Sequence, residues 1–600
     1  MDNNRNLLLA VLLSGLLLLG WQFVMTTLYP DMNEPAPSDT QAAAATSGEG
    51  ATPTSTTQSA GSTEVEATSA APTGPVSLDK ALASPDRVKI DAPRVSGSIN
   101  LSNASIDDLV LKDHRETVDK DSGPVRLLSP AGTPGQYFAE FGFASGGKRL
   151  PTDKWTADAQ TLTMDKPVTL TRKGAGDITY SIKFSIDENY MITAEQSANN
   201  GGEAAAIVQP FALIDRTDDN ATVDEFLMHS GPVGTFGGDI DEDYSYEDLP
   251  QGSGNPYRPT GAINWLGFSD VYWLSALIPE NNAGAPAFRK LSNGLYRADI
   301  QYDSVTVPAG EAVSQTTRLF AGAKESDVLD AYEDQLSIQQ FGLAISWGWF
   351  WFLEKPLLWL LTTLFGLIGN FGLAIIGMTF VVRGVLFPIA QKQFASMAAM
   401  KAVQPKMKAI QERYKDDKQT QQQKIMELYK EEKVNPLAGC LPLLIQIPIF
   451  FALFKVLKLS IEMRHEGFIP GWINDLTAPD PWTFLNLFGL LNFNVAGTLF
   501  GIGVLAVLLG VTMWLTFKLN PTAMDPIQQQ IFNFMPWVLM FVMAPFMSGL
   551  LLYWVTSNIL TLAQQKYLYS RHPQLRAQAD KDKADQAKKA ELEKAKKGEA

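Results

Sequence analysis

Cysteine is almost missing from this 600-residue chain, and the one present, Cys440, cannot form an intramolecular disulfide, so no disulfide framework is expected anywhere in it. Histidine is nearly as scarce, with four copies and no Cys or carboxylate cluster at metal-ligand spacing, so neither a metal nor a cofactor is expected. A phosphate-cradling GxxxxGK[ST] loop is absent, which leaves no nucleotide-driven energy source in view. The apolar blocks lack the several paired charges and inverted repeats that an ion or solute transporter needs. His114 and His229 could serve as acid and base in a sugar-processing β-sandwich, but no nucleophile signature accompanies them, so an enzyme is not expected.

What the chain does have is unevenly placed. Hydrophobic residues make up 46% of it, in long blocks separated by polar stretches, the pattern of a membrane protein carrying a large soluble part. Net charge is −15, yet acids outnumber bases roughly two to one between Tyr29 and Gln340 while the remainder is net basic. An acidic half and a basic half suggest two compartments.

Residues 1–30 place Arg5 before an apolar run of about 22 residues that closes with Trp21 and Tyr29, long enough to span. A cleaved signal peptide has a shorter apolar core and a small-x-small cleavage site; neither fits, so an uncleaved anchor is expected. Residues 31–78 are rich in Ala, Ser, Thr, Pro and Gly, with too little apolar surface to offset chain entropy, and are expected to form a disordered linker. Beyond them Ile178, Tyr180, Ile182, Phe184 and Ile186 alternate with polar residues, and LYRADIQYDSVTVPAG repeats that period-two habit. Residues 79–335 are therefore expected to be a β-sandwich.

From Phe341 to Ala390 the chain is almost continuously apolar. As one helix this stretch would be roughly 75 Å long against a hydrocarbon core of about 30 Å, so it must be a hairpin of two spans, or an interfacial helix followed by one span. Trp347, Trp349, Trp351 and Trp359, interrupted by Glu354, Lys355 and Pro356, suit the headgroup boundary. The loop after Pro388 carries ten Lys and Arg against six acids and belongs in the cytoplasm; only a single span reaches there from an outside domain. We therefore expect an amphipathic interfacial helix over 336–368 and a transmembrane helix over 369–390. In the following segment, 391–438, Met400, Val403, Met407, Ile410 and Tyr414 recur at helical steps, KDDK makes a turn, and Ile425 and Leu428 continue on a second helix. This predicts a cytoplasmic helical hairpin whose apolar seam either only holds it together or also serves a partner or gating role. Residues 439–570 supply four more spans, for six in all, and 571–600 form a basic cytoplasmic tail, which puts both termini in the cytoplasm. The piece from Ile531 to Pro545 is only about 22 Å long as a helix, short for an ordinary bilayer.

Arg383 is the strongest chemical feature. An arginine inside a span costs about 2.5 to 3.5 kcal/mol on insertion scales, and no acid in the expected spans is available to pair with it. Two readings stand. It can snorkel to the cytoplasmic edge, with Pro388 marking the helix end nearby, or it can share a wet cavity with Thr379, one turn earlier, and Gln446 of the next span.

The segments GMTFVVRGVLFPIAQKQFASMAAMKAVQPKMKAIQERY, KVNPLAGCLPLLIQIPIF and FMPWVLMFVMAPFMSGLLLYWVTSNILTLAQQ, with the N-terminal MDNNRNLLLAVLL, resemble the YidC/Oxa1/Alb3 insertase family in order along the whole chain. The long acidic insert resembles that of its Gram-negative branch, in which it is a periplasmic β-supersandwich. The resemblance implies a polytopic α-helical membrane protein of the inner membrane with six transmembrane helices, five of them the insertase core, and no enzymatic activity. It also implies a hydrophilic groove open to the cytoplasm and lipid, with Arg383 as its positive charge, Thr379 and Phe387 on the same span, Gln446 on the next, and Tyr553 and Trp554 on the last helix. Phe387 and Trp554 carry no hydroxyl, so no hydroxyl role is assigned at either position. The partners it implies are nascent inner-membrane proteins, the Sec translocon (SecYEG, SecDF), the ribosome, the signal recognition particle receptor and membrane lipids, with Met407, Ile410 and Tyr414 marking the cytoplasmic hairpin.

Overall fold

The computed structural model describes residues 76–571, apart from 120, 151–153, 218–228, 251–255, 416, 433–440, 492–494, 497, 499–500 and 520–525. The expected N-terminal anchor, nearly all of the expected linker and the basic tail lie outside the described residues.

A short helix α1 (Leu78–Leu82) leads into two packed sheets, one of 11 strands and one of 9, antiparallel except where Thr161–Leu162 joins Arg87–Asp91 in parallel. In the larger sheet the strands Ala285–Lys290, Tyr296–Gln301, Ala206–Arg216, Tyr137–Ser145 and Ser105–Arg115 lie side by side. In the smaller, Gly231–Phe236, Ile263–Ser269, Trp273–Pro279, Ala312–Ala323, Met191–Asn200 and Ile178–Ile186 do so. The alternation noted in the sequence is realised directly: Ile178, Tyr180, Ile182, Phe184 and Ile186 are all buried while the residues between them are less so. Tyr296–Gln301 behaves differently, because it is buried on both faces. Its off-core residues Arg297 and Asp299 enter a polar layer, where Arg297 pairs with Asp215 at 2.7 Å and Arg289 with Asp299 at 3.0 Å. Buried charges are tolerated there because each guanidinium meets a carboxylate.

Helix α2 (Ser326–Leu336) closes the sandwich, burying Leu329 and Tyr332, and ends where Ser337 takes a left-handed backbone (φ 56°). The chain then leaves the β domain across Phe341, which meets Trp265 edge-on at 5.4 Å. No single helix covers 336–368: two short 3-10 turns, Phe341–Ala344 and Gly348–Phe350, precede α3 (Trp351–Ile368). The physical reason is that Lys324 and Lys455 capture the carbonyls of this connection, at Ala344 and at Ser346 and Trp347, away from a helical ladder.

Gly369, with φ 73°, ends α3, and the Asn370 side chain caps the next helix by accepting from the Leu373 N–H at 2.9 Å. That helix, α4 (Phe371–Arg413), does not stop at Pro388. It runs 43 residues, carrying the membrane segment and the first arm of the hairpin as one rod. A proline removes one ladder bond but does not terminate a helix when strong helix formers such as AQKQFASMAAMKA follow. The second arm, α5 (Lys418–Glu431), begins at the Asp417 cap, where the sequence placed the turn. Val403, Met407 and Leu428 are buried together, with Ile410, Ile425 and Tyr429 packed against them. The expected seam is present, with Tyr429 where Tyr414 was expected: the Tyr429 hydroxyl lies 3.2 Å from the Met407 sulfur, whereas Tyr414 is half-buried at the turn.

Among the described residues four further α-helices follow: α6 (Leu441–Leu459), α7 (Val504–Leu519), α8 (Pro526–Met543) and α9 (Ser548–Arg571). Helix α9 packs on α4 and α7, and α6 on α3. By length and composition Trp351–Ile368 and Phe371–Lys392 could each cross a membrane; Val504–Lys518 and Asn533–Met543 are apolar but shorter. The outer surface of these helices is apolar, with Leu367, Phe380, Val385, Phe534 and Val542 at least half exposed, which suits lipid rather than water. The helical and β parts also touch: the Arg464 guanidinium donates to the carbonyls of Arg115 (2.7 Å) and Glu116 (3.1 Å).

Candidate polar site among the apolar helices

Helix α4 turns Ala374, Ile375, Met378 and Thr379 inward at three- and four-residue steps, and Arg383 follows one turn after Thr379. The Arg383 guanidinium is half-buried and reaches α9, where both Nε (3.0 Å) and a terminal nitrogen donate to the Ser557 hydroxyl. One turn before Ser557, Tyr553 points the same way. Its hydroxyl accepts from Gln446 Nε2 of α6 at 3.0 Å and lies within electrostatic reach of Arg383 and hydrogen-bonding reach of Ser557. Three helices thus join in one polar cluster, Gln446 with Tyr553 and Arg383 with Ser557, surrounded by apolar side chains.

Among the residues expected at the site, Arg383, Gln446 and Tyr553 come together. Thr379 is fully buried nearby, and its hydroxyl donates to the Ile375 carbonyl of its own helix at 2.7 Å. Phe387 is half-buried on the turn after Arg383, and the Trp554 ring lies against Phe450 of α6 at 5.1 Å. Sequence reasoning missed Ser557, although it follows Tyr553 at the i, i+4 spacing that shares a helix face. It also missed Asn558, buried and donating to the Thr512 hydroxyl of α7 at 3.2 Å.

A second buried polar pair escaped it as well. Glu354 of α3 is wholly buried with neither carboxylate oxygen hydrogen-bonded, facing Lys455 of α6 across a gap too long for an ion pair. Lys455 instead donates to the carbonyls of Ser346 (2.7 Å) and Trp347 (3.1 Å). The sequence placed Glu354, with Lys355, Pro356 and the tryptophans around them, at a headgroup boundary; Pro356 is exposed and Lys355 reaches Asp330 at 3.0 Å, whereas Glu354 turns inward.

The histidines of the β domain serve the fold. His114 lies 3.3 Å from the Tyr190 hydroxyl and 3.5 Å from Glu325, and a ring nitrogen of His229 is 2.8 Å from the Pro232 carbonyl. Among the described residues there is no group of His, Cys, Asp and Glu that could hold a metal ion.

Two family descriptions match consecutive parts of the chain: residues 87–360 match the YidC periplasmic domain, and residues 363–575 match the 60Kd inner membrane protein. The chain is 42% identical over 592 residues to the membrane protein insertase YidC of Zymomonas mobilis, covering 98% of this chain and 99% of that one. It is likewise 42% identical over 586 residues to the membrane protein insertase YidC of Rhizobium johnstonii, covering 95% and 96%. Among solved structures, an active YidC insertase with its first transmembrane domain resolved is 18% identical, covers 80% of this chain and 92% of that one, and superposes with a TM-score of 0.35.

Proposed function

Because the chain belongs to the YidC family of membrane protein insertases, we propose that it inserts nascent inner-membrane proteins into the bilayer through a wet groove built around Arg383. The observation that carries the groove reading is the cluster of Arg383, Ser557, Tyr553 and Gln446 amid apolar helices. A polar segment entering hydrocarbon loses hydration at a free-energy cost of several kcal/mol per unsatisfied group. A groove wetted from the cytoplasmic side shortens that dry path, and the guanidinium attracts an acidic client tail in passing. A serine hydroxyl is a neutral partner, so Arg383 retains its charge for the client, whereas a carboxylate would neutralise it. Phe387 and Trp554 flank the cluster as apolar walls, and Thr379 packs behind it. The client's apolar segment then partitions sideways into lipid, driven by the hydrophobic effect and the membrane potential.

The topology we propose has six spans, an interfacial placement for α3, the α4–α5 hairpin and both termini in the cytoplasm, and the β domain in the periplasm. The positive-inside rule applied to the ten Lys and Arg of 391–438 supports it. On this reading the protein also chaperones its clients and works beside the Sec translocon (SecYEG, SecDF), with the ribosome and the signal recognition particle receptor meeting the cytoplasmic face. The test is insertion of a client with an acidic translocated tail and of one with a neutral tail into vesicles holding the purified protein. Insertion of the acidic-tailed client should fall in Arg383→Ala and survive in Arg383→Lys; equal insertion by Arg383→Ala and the parent would contradict the groove.

A further inference from the structure

The connection between α6 and α7 carries no charged side chain from Pro481 to Phe517. Within it, residues 481–491 are held in one shape by polar groups that face inward. Asp480 accepts from the Trp472 indole (2.8 Å) and from the backbone N–H groups of Trp482 (3.0 Å) and Leu505 (2.8 Å), the last in the first turn of α7. Asn486 accepts from the N–H groups of Thr483 and Gly489, both at 3.0 Å, and donates to the Pro481 carbonyl at 2.8 Å. With these polar groups satisfied by the loop's own backbone, the outward surface is Phe484, Leu485, Leu487, Phe488, Leu490 and Leu491, between 43% and 83% exposed. Leu487 and Phe488 hold left-handed backbone (φ 50° and 58°), a conformation bulky residues avoid unless the surroundings impose it. The fold therefore holds an apolar rim outward against its own backbone preference.

We propose that this loop is a membrane-insertion surface, its apolar rim sunk in the outer leaflet of the bilayer. The inference rests on α7 spanning the membrane as set out above. Helix α7 has 16 residues, hence a length of about 24 Å. That falls several Å short of a core of about 30 Å. The loop lies where the shortfall falls. The Phe484 N–H donates to the Ile502 carbonyl and the Val504 N–H to the Trp482 carbonyl, both at 3.1 Å, so the rim continues directly from the helix start. Val507 and Val511 prolong the exposed apolar surface along α7. Trp472 and Trp482, stacked at 5.2 Å, add the amphipathic rings that settle at the headgroup boundary. Arg464, near the start of the same connection, holds the β domain, so the rim lies toward the periplasmic end of the bundle. A protein partner would call for some charge or polar pattern on the rim, and lipid calls for none.

The test uses the full chain with Cys440→Ser, carrying Phe488→Cys or Leu490→Cys labelled with an environment-sensitive fluorophore. The protein is reconstituted into phosphatidylethanolamine and phosphatidylglycerol vesicles. Val511→Cys on α7 and Ile207→Cys on the exposed β domain serve as references. The labels at Phe488 and Leu490 should be quenched several-fold more by a doxyl group near the lipid headgroup than by aqueous iodide. Iodide quenching equal to that at Ile207 would overturn the proposal, as would protection from both quenchers, which would mean that another copy of the chain covers the rim. If a deep-acyl quencher fails to reach the label at Val511, α7 does not span, and the underlying topology fails rather than the loop alone.

Discussion

Arg383 meets the Ser557 hydroxyl through two of its nitrogens, and the two residues should respond differently to substitution. Arg383→Ala, Arg383→Leu and Arg383→Glu remove or invert the charge and should abolish insertion of an acidic-tailed client, while Arg383→Lys keeps it. Ser557→Ala leaves the charge and deletes a hydrogen bond to it, worth about 1.5 to 3 kcal/mol. We expect that variant to lower thermal stability in detergent while insertion falls less than in Arg383→Ala. The reverse ranking would make the serine hydroxyl, rather than the arginine charge, the group that insertion depends on. In the β domain Glu325 is the residue to watch as pH falls. Burial opposes its ionisation, but hydrogen bonds from His114, Arg94 and Tyr190 outweigh that and hold its carboxyl down from 4.5 to about 2. A depressed carboxyl stabilises the fold above pH 4.5, and the contribution fades as pH drops toward 2. Glu325→Gln should therefore be less stable than the parent at neutral pH and nearly equal to it near pH 2, as read from the urea midpoint of the β-domain transition. An unchanged difference across that range would remove Glu325 from the account.

At the scale of elements, the seam of the hairpin makes the clearest demand. Met407 is buried between α4 and α5, and Ile410 packs beside it. Met407→Asp with Ile410→Asp places two carboxylates in the apolar seam that joins α5 to α4, beside the Gln421–Gln411 hydrogen bond and the exposed Lys406–Glu432 pair. We expect membrane levels to stay near those of the parent and insertion to fall, checked by client insertion normalised to protein amount; full activity would reduce the seam to a connector. The seam was legible from three- and four-residue spacing alone, as were the Asp417 turn and the strand Ile178–Ile186, because each follows from a local period. The run of α4 through Pro388 was not legible, since proline lowers helix preference locally while the flanking formers decide the outcome. Nor was the broken stretch before α3, whose carbonyls are taken by Lys324 and Lys455 from positions 20 and more than 100 residues away. The same limit applies to the groove. Arg383, Gln446 and Tyr553 stand out as polar residues in apolar runs, but the pairing of Arg383 with Ser557 joins residues 174 apart and no local pattern announces it.

For the whole molecule, the acidic β domain is expected to be an accessory to insertion, because its described residues form a sandwich whose apolar side chains pack mainly inward and leave few to handle an apolar client segment. The cut must respect the sheets. A deletion ending at Ile300 would leave the strand Ala312–Ala323 without Met191–Asn200 and Trp273–Pro279, its two neighbours, and so expose an unpaired apolar edge. Removal of 79–336 takes the sandwich and α2 together and should restore growth to insertase-depleted cells, whereas a cut extended through Trp359 should fail because α3 braces both α4 and α6. Failure of the shorter deletion at normal membrane levels would give the β domain an essential part. The claim at the centre of the account is that a client passes through the cluster joining α4, α6 and α9. It is tested most directly by placing a photoreactive side chain at Gln446 or at Tyr553 and illuminating cells that hold a stalled nascent membrane protein. Crosslinks to the nascent chain should form from both positions and weaken in Arg383→Ala. Their absence from both, with crosslinks forming instead from the lipid-facing Val385, would contradict a groove between these helices.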